Sequence, residues 1–392
     1  MYFQRWRFRM CHLLLCFRKF MGTREYISTK RLQPGMIIDQ SITDATGRVM
    51  IKRNVYLDQY QIEYLMSRGI SGVYITDTLE DDGKPGIEPA KKKIIIPSAA
   101  KKVIARERVE DPTKVEMSET VKARVNEGIQ YLFKNTNADN FSGAAMQVSK
   151  DLTEAIMTNS AVAIDINTLK VSDEYTFKHS VDVAMISMII GKRHGLSRDE
   201  IREIGVAGLL HDMGKSKIPT EILNKPGKLT DEEFALMKRH PYDGYQILKE
   251  RGGFSNAVLA GVLQHHEKIN ASGYPMGISK DQIHLFGRLI AVADIFDALV
   301  TKRPYKDAFP MREAVEMIMS MTGELDISCI NSFLGSVICY PVDSVVELSN
   351  GQLCKVVANV PMYPLRPRVV AIDTGEVYDL ANDLKCANLI IM

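Results

Sequence analysis

In the run Val206 to Lys217, VAGLLHDMGKSK, an apolar helical segment ends in His211 and Asp212 and passes into a Gly-Lys turn that carries Lys215. An imidazole and a carboxylate side by side at the end of a buried helix are costly to desolvate unless charge sits between them. A divalent metal is the usual solution. The chain holds eight histidines, and seven of them fall between His179 and His284, with Asp294 and Asp297 following shortly after.

Further ligands follow from type and position. His179 lies mid-helix with Val183 one turn on, so its side chain faces the apolar side. A lone histidine there is more often a satisfied core residue than a ligand. Asp294 shifts the balance, because it sits in RLIAVADIFDAL, a helix otherwise made of core residues. Helices that each deliver imidazole or carboxylate inward are how bundle cores build metal sites. His240 precedes Pro241, which puts it at a helix start, and His265-His266-Glu267 forms a pair that cannot face one way on a regular helix unless the site is wide. With Asp212 able to bridge, one metal takes His179, His211, Asp212 and Asp294, and a second takes Asp212, His240, His265 and His266. In such two-metal sites ions roughly 3.5–4 Å apart activate a hydroxide and neutralise charge on a phosphoryl centre. The mixed His and carboxylate set suits Fe or Mn rather than Mg, which prefers oxygen alone.

The elements that must position these residues are helical. KVEMSETVKARVNEGIQYLF, GAAMQVSKDLTEAIM, EYTFKHSVDVAMISMIIGKRHG, DEIREIGVAGLLHDMG, DEEFALMKRH and QIHLFGRLIAVADIFDALV space their apolar residues at three and four. Ser197 with Glu200 and Thr230 with Glu233 form capping boxes. An all-α domain over residues 114–336 follows. Residues 23–79 mix short strands with the amphipathic QYQIEYLMSRGI and read as a small α+β module. Residues 80–113 carry charge runs, breakers and no sustained period, and read as a linker that partly packs. Residues 337–392 are Val-rich and alternating, with Asn-Gly and Thr-Gly turns, and read as a small β-rich, barrel-like tail. The fold class expected is therefore multidomain, a helical domain flanked by an α+β module and a β-rich tail.

Composition narrows the partners. A formal charge of +2 gives no case for nucleic acid or a bulk anionic membrane. Six cysteines at Cys11, Cys16, Cys329, Cys339, Cys354 and Cys386 contain no CxxC pair, which reads as a reducing compartment. The basic start, residues 1–22, has an apolar run far shorter than the roughly 20 residues that cross a bilayer, and it is read as a disordered leader. No integral membrane segment is expected, and the protein is placed in the cytoplasm.

His179, His211-Asp212 and Asp294 resemble the HD phosphohydrolase superfamily, and HDMGK (211–215), His240 and HHEKINASGYP (265–275) narrow the likeness to the HD-GYP family of bacterial cyclic di-GMP phosphodiesterases. The resemblance covers residues 114–336. It implies an HD-type helical domain, two divalent metal ions held as above, Asp212 and Lys215 as catalytic residues, and Lys215 on the scissile phosphate. It also implies substrate contacts from Tyr274, Arg303 and Lys306. For Asp297 it leaves two roles open, a hydrogen bond to a ligating histidine or a direct substrate contact. Tyr175 stands where some members carry a glutamate for a third metal, which argues for two ions, although Glu174 is adjacent. Asn270-Ala271 replaces the family's Asp or Asn followed by Gly, so a left-handed backbone there would be strained by roughly 1 kcal/mol. Glu267 is expected to hold its loop by hydrogen bonding, and His194 and His284 to lie at the surface. The implied reaction is hydrolysis of cyclic di-GMP to pGpG, with further cleavage to GMP left open. The alternatives are a weakly active cyclic di-GMP receptor, its loop docking diguanylate cyclase (GGDEF) proteins, or an HD hydrolase of another nucleotide. Homodimerisation remains an option.

Overall fold

A computed structural model describes residues 96–111, 118–135, 138–158, 175–225, 227–301 and 308–392, together with 25–29, 32–33, 35–38, 42–43, 49–51, 55–57, 62, 65 and 72–76. The expected leader, Glu174, Arg303 and Lys306 lie outside the described residues, as does the side chain of Tyr175. The chain divides into two compact units, residues 1–94 and 95–392.

In the first unit, β1 (Glu25–Ser28), β2 (Ile37–Ile38), β3 (Ile42–Thr43), β4 (Val49–Ile51) and β5 (Gly72–Thr76) form a three-stranded antiparallel sheet, ordered β1-β5-β2, and a β3-β4 pair. Ile38, Ile51, Leu57, Val73 and Ile75 make its core with Ile62 and Leu65, both of them helical.

The second unit opens with α1 (Ser98–Glu107), which lies within the segment expected to be a linker. The helical body follows as α2 (Glu119–Lys134), α3 (Phe141–Thr158), α4 (Tyr175–His194), α5 (Arg198–Leu210), α6 (Thr220–Leu223), α7 (Asp231–Met237), α8 (His240–Arg251), α9 (Asn256–Gln264), α10 (Leu285–Val300), α11 (Met311–Ser320) and α12 (Ile327–Leu334). Both expected capping boxes are present, at Ser197/Glu200 opening α5 and Thr230/Glu233 opening α7.

Helix α4 is buried on every side from Val181 to Ile190, because α3, α5, α10 and α12 pack around it. The α4–α5 crossing is tight. A Cβ on Gly208 would fall 2.7 Å from the Ala184 Cα, so only glycine lets the two backbones meet there. That approach brings His179 on α4 and His211 beyond α5 to one spot. Gly214 does the same for the next helix, since any Cβ would strike the His240 carbonyl and the Gly244 amide on α8.

After α12 come β6 (Val345–Glu347), β7 (Leu353–Ala358), β8 (Arg368–Ala371) and β9 (Val377–Asp379), an antiparallel sheet in the order β6-β7-β8-β9. Each strand pairs with its sequence neighbour, and the C-terminal segment returns to the end of β6, where Leu348 bridges Ile391 and the Glu347 carbonyl accepts from the Met392 amide at 2.9 Å. Helix α1 covers this sheet, with Ile104 buried against Val357 and Val370. Asp111 anchors the stretch after it by accepting hydrogen bonds from the Val342 amide at 2.7 Å and Asn359 Nδ2 at 2.7 Å. The expected linker is thus in part a layer of the tail. No helix among the described residues is long and apolar enough to cross a membrane.

Candidate metal centre

Three of the seven candidate ligands share one local device. His211 follows the end of α5, His240 follows α7 and His265 follows α9. Each ring turns its Nδ1 back to a carbonyl three residues earlier: Gly208 at 2.8 Å, Met237 at 2.8 Å and Val262 at 2.7 Å. A carbonyl can only accept, so Nδ1 carries the proton in each ring and the Nε2 lone pair faces inward. Because α9 stops at Gln264, His265 and His266 are released from helical geometry, and adjacent residues can face one site. Asp212 gains the same freedom by leaving the helix for the bridge region, at φ −96 and ψ 6.

The side chains converge. Asp212 Oδ1 lies 3.3 Å from His240 Nε2, while its Oδ2 lies 3.4 Å from His211 Nε2 and 3.7 Å from His179 Nε2. Asp294 stands 3.2 Å from His179 Nε2 and 3.9 Å from His266 Nδ1. Ligand atoms of His179, His211 and Asp294 gather within 4.8 Å of one another, as do those of His240, His265 and His266, and those of His211, Asp212 and His265.

As it stands, this cluster leaves buried polar atoms unpaired. His211 Nε2 and Asp212 Oδ1 are buried without a hydrogen-bond partner. His240 Nε2 and His265 Nε2 point at each other across 3.2 Å, yet both rings already hold their proton on the other nitrogen. Two lone pairs in contact are repulsive, and a cation between them removes the conflict. The donor set therefore fits divalent metal.

The protonation of the cluster tells the same story. Burial works to lower the His179 imidazole, but Asp294 and Asp297 outweigh it and push it up to about 10, so a proton stands where cationic charge is wanted. Burial works against charge on Asp212, yet His211, Lys215 and His240 hold its carboxyl well below the usual range. Asp294 is held low against burial by His179, His266 and His211. Burial lowers His240 and His265 and brings His266 to about 3, with the Lys215 ammonium adding to it at His240 and His266, and these rings are left neutral.

The cluster is sealed on one side and open on the other. His211, His240 and His265 are buried, whereas Lys215, His266, Tyr274 and Asp294 are only partly covered and form the mouth. Lys215 Nζ reaches Asp212 Oδ2 at 2.5 Å. Tyr274 lies beside His266, ring centroids 4.7 Å apart at 32°. Asp297 does not reach the mouth: it is buried, with Oδ2 accepting from His179 Nδ1 at 2.6 Å and Oδ1 accepting from the Thr301 hydroxyl at 2.9 Å. Of its two open roles, the geometry provides the hydrogen bond to histidine.

The loop after His266 is held from within. Glu267 accepts from the amides of Met276 at 2.7 Å, Gly277 at 3.2 Å and Ile278 at 3.2 Å, which folds the Gly-Tyr-Pro turn back over the site. It is also tied from outside, by Lys268 to Glu324 at 2.5 Å and Lys280 to Asp326 at 3.2 Å. His284 is exposed and caps α10, as expected at a surface. His194 is half-buried, its Nδ1 2.9 Å from Ser332 Oγ, because α12 crosses the end of α4.

Sequence reasoning missed Asp182, which lies one turn after His179. It is buried with Oδ1 unpartnered, and burial together with the Asp297 charge pushes its carboxyl up to about 8. The spacing of three from His179 on one helix was the available signal.

The HD-domain sequence profile matches residues 164–328, a span that holds all seven candidate ligands. A cyclic di-GMP phosphodiesterase of Pseudomonas aeruginosa is 30% identical over 88% of this chain and 84% of its own length. A cyclic di-GMP phosphodiesterase response regulator of Xanthomonas campestris pv. campestris is 42% identical over 38% of this chain and 40% of its own. A 3′3′-cGAMP-specific phosphodiesterase of Vibrio cholerae is 36% identical over 39% of this chain and 35% of its own. The chain thus spans most of the first of these relatives and well under half of the other two. On the match that runs through nearly the whole of both chains, this protein belongs to the HD-GYP family of the HD superfamily, a family of metal-dependent cyclic dinucleotide phosphodiesterases.

Proposed function

We propose that the protein hydrolyses cyclic di-GMP to linear pGpG, with cleavage onward to GMP left open, at a centre of two divalent ions, iron or manganese. One observation carries the reading. The two oxygens of Asp212 face different imidazoles, Oδ1 towards His240 and Oδ2 towards His179 and His211, and so divide the ligand atoms into two sets that share one carboxylate. Asp212 and Lys215 are the residues we assign to catalysis.

Two ions held there would acidify a water and neutralise charge building on phosphorus. The chain's own groups do the rest. Lys215 holds its ammonium against Asp212 at the mouth, and an incoming phosphate draws it onto a phosphoryl oxygen. Tyr274 stays a phenol, because burial and the charges of Asp294 and Asp212 raise it, so it donates a hydrogen bond to substrate or presents its ring. Asp297 holds the His179 ring and acts through it, as a positioning residue. Arg303 and Lys306 are assigned to the substrate's phosphates and guanine.

The test is incubation of manganese- or iron-loaded protein with cyclic di-GMP, with products separated by chromatography. Turnover that disappears in Asp212→Ala supports the reading. Tight binding without product, in protein of verified metal content, supports a receptor instead. The Vibrio cholerae relative favours a second reading, 3′3′-cGAMP as the preferred substrate, and kcat/KM on both dinucleotides ranks the two. We further place the protein in the cytoplasm, with GGDEF proteins docking on the Gly-Tyr-Pro loop and a second copy of the chain as partners. The unpaired thiols of Cys329, Cys339, Cys354 and Cys386 accord with that compartment.

A further inference from the structure

Helix α7 buries none of its residues, and Phe234 on it leaves 39% of its surface exposed beside the mouth of the metal centre. An apolar ring left open to water forfeits burial free energy unless something covers it. The ring is not idle in its placement. Its centroid lies 6.5 Å from that of Tyr274 at 78°, and Tyr274 in turn lies 4.7 Å from His266 and 6.3 Å from His240. Aromatic rings therefore adjoin one another from Phe234, open to solvent, through Tyr274 to the candidate metal-binding imidazoles.

The helix is also fixed in position. Lys225 donates to Glu233 at 2.7 Å, the capping box closes its start, and His240 returns to the Met237 carbonyl at its end. A helix with no core contacts is thus held where it presents Phe234 to the mouth. Lys238 adds charge, its Nζ 5.2 Å from the Phe234 centroid. An aromatic face paired with a cation suits an anionic ligand that carries flat heteroaromatic rings.

We infer that Phe234 is a substrate-binding residue that stacks on a purine base of the cyclic dinucleotide while the phosphodiester sits at the metal centre. The inference rests on the proposed function and deepens it. Every base has a π-face, so stacking here separates base-bearing from base-free diesters and does not tell guanine from adenine.

The experiment compares wild type with Phe234→Ala, Phe234→Leu and Phe234→Trp, each as metal-loaded holoenzyme. The substrates are cyclic di-GMP and methyl p-nitrophenyl phosphate, a diester without a base. In the Ala and Leu variants KM for cyclic di-GMP rises at least about tenfold, kcat moves less than about threefold, and the base-free diester is affected far less. Trp, which restores a π-face, returns KM to within about threefold of wild type. Leucine can still pack against Tyr274, so a Leu variant that matches wild type on cyclic di-GMP reduces Phe234 to packing and overturns the inference. Equal losses on the two diesters, or no change in KM, overturn it as well. A wild type that cleaves the base-free diester and not cyclic di-GMP overturns the functional reading and this inference with it; an active wild type with indifferent variants overturns the inference alone.

Discussion

Asp297 holds His179 through a 2.6 Å hydrogen bond from Nδ1, and Thr301 holds Asp297 in turn at 2.9 Å. The chain Thr301–Asp297–His179 fixes which ring nitrogen faces Asp294 and Asp212. Asp297→Ala frees the ring to rotate, and metal affinity falls about 10–100-fold. Competition titration against a chelator measures it, and an unchanged affinity would show that the ring is held by packing alone.

His179 also makes metal binding a proton exchange. With its folded value pushed up to about 10, the ring is protonated at neutral pH in metal-free protein. A raised imidazole stabilises the metal-free fold fully below the unfolded value of about 6.5, and this is lost as pH rises through about 10. An ion must displace that proton, whereas His240, His265 and His266, all lowered, have none to give. Metal affinity therefore rises with pH between 7 and 9, with about one proton released per ion bound at His179. Calorimetric titration of manganese in buffers of different ionisation enthalpy counts it, and zero protons released would refute the assignment.

Asp326 behaves in the opposite sense. Burial disfavours its charge, but Ser328, Arg288 and Lys280 hold its carboxyl far below the usual range, with Arg288 at 2.6 Å and Lys280 at 3.2 Å. A depressed carboxylate contributes stability above the unfolded value of about 3.9 and loses it as pH falls towards the folded value. Asp326→Asn accordingly costs about 1.5–3 kcal/mol at pH 7, and the difference from wild type narrows as acid is added below about pH 4. Denaturant melts across that range decide it; a constant difference would mean that the charge is not what stabilises.

Ala271 takes a left-handed backbone, φ 60, in the loop between His266 and Tyr274, with its side chain exposed. The conformation costs alanine about 1–2 kcal/mol, and glycine returns about 0.4–1 kcal/mol of that through the freedom of its unfolded chain. Ala271→Gly is therefore stabilising by a few tenths to about 1 kcal/mol. A lower melting temperature would show that the strain is absorbed elsewhere.

The candidate ligands stand out in the chain because their chemistry is improbable in a core. His179 and Asp294 interrupt helices made of Val, Ile, Leu and Ala, and that interruption is visible in one dimension. Glu267 was readable for a related reason, as a carboxylate inside a loop of glycines and small residues whose amides need an acceptor. Helix α1 was not, because its buried face amounts to Ala100 and Ile104, and its partners Val357 and Val370 lie some 250 positions downstream. The return of the C-terminal segment to β6 was hidden too, since alternation marks strands and says nothing about which of them meet. Asp182 and Phe234 are single residues of ordinary type, and only proximity to Asp297 and Tyr274 gives them meaning.

The return of His211, His240 and His265 to Gly208, Met237 and Val262 has a consequence for how this enzyme is dissected. Those carbonyls belong to the last turns of three helices, where acceptors lack helical donors, so each imidazole terminates a helix with one nitrogen and offers the other to an ion. An alanine at any of these positions removes a ligand and unravels a terminus together, and its lost activity conflates two causes. Asparagine or glutamine, able to donate to the same carbonyl from a side-chain amide, would separate scaffold from coordination.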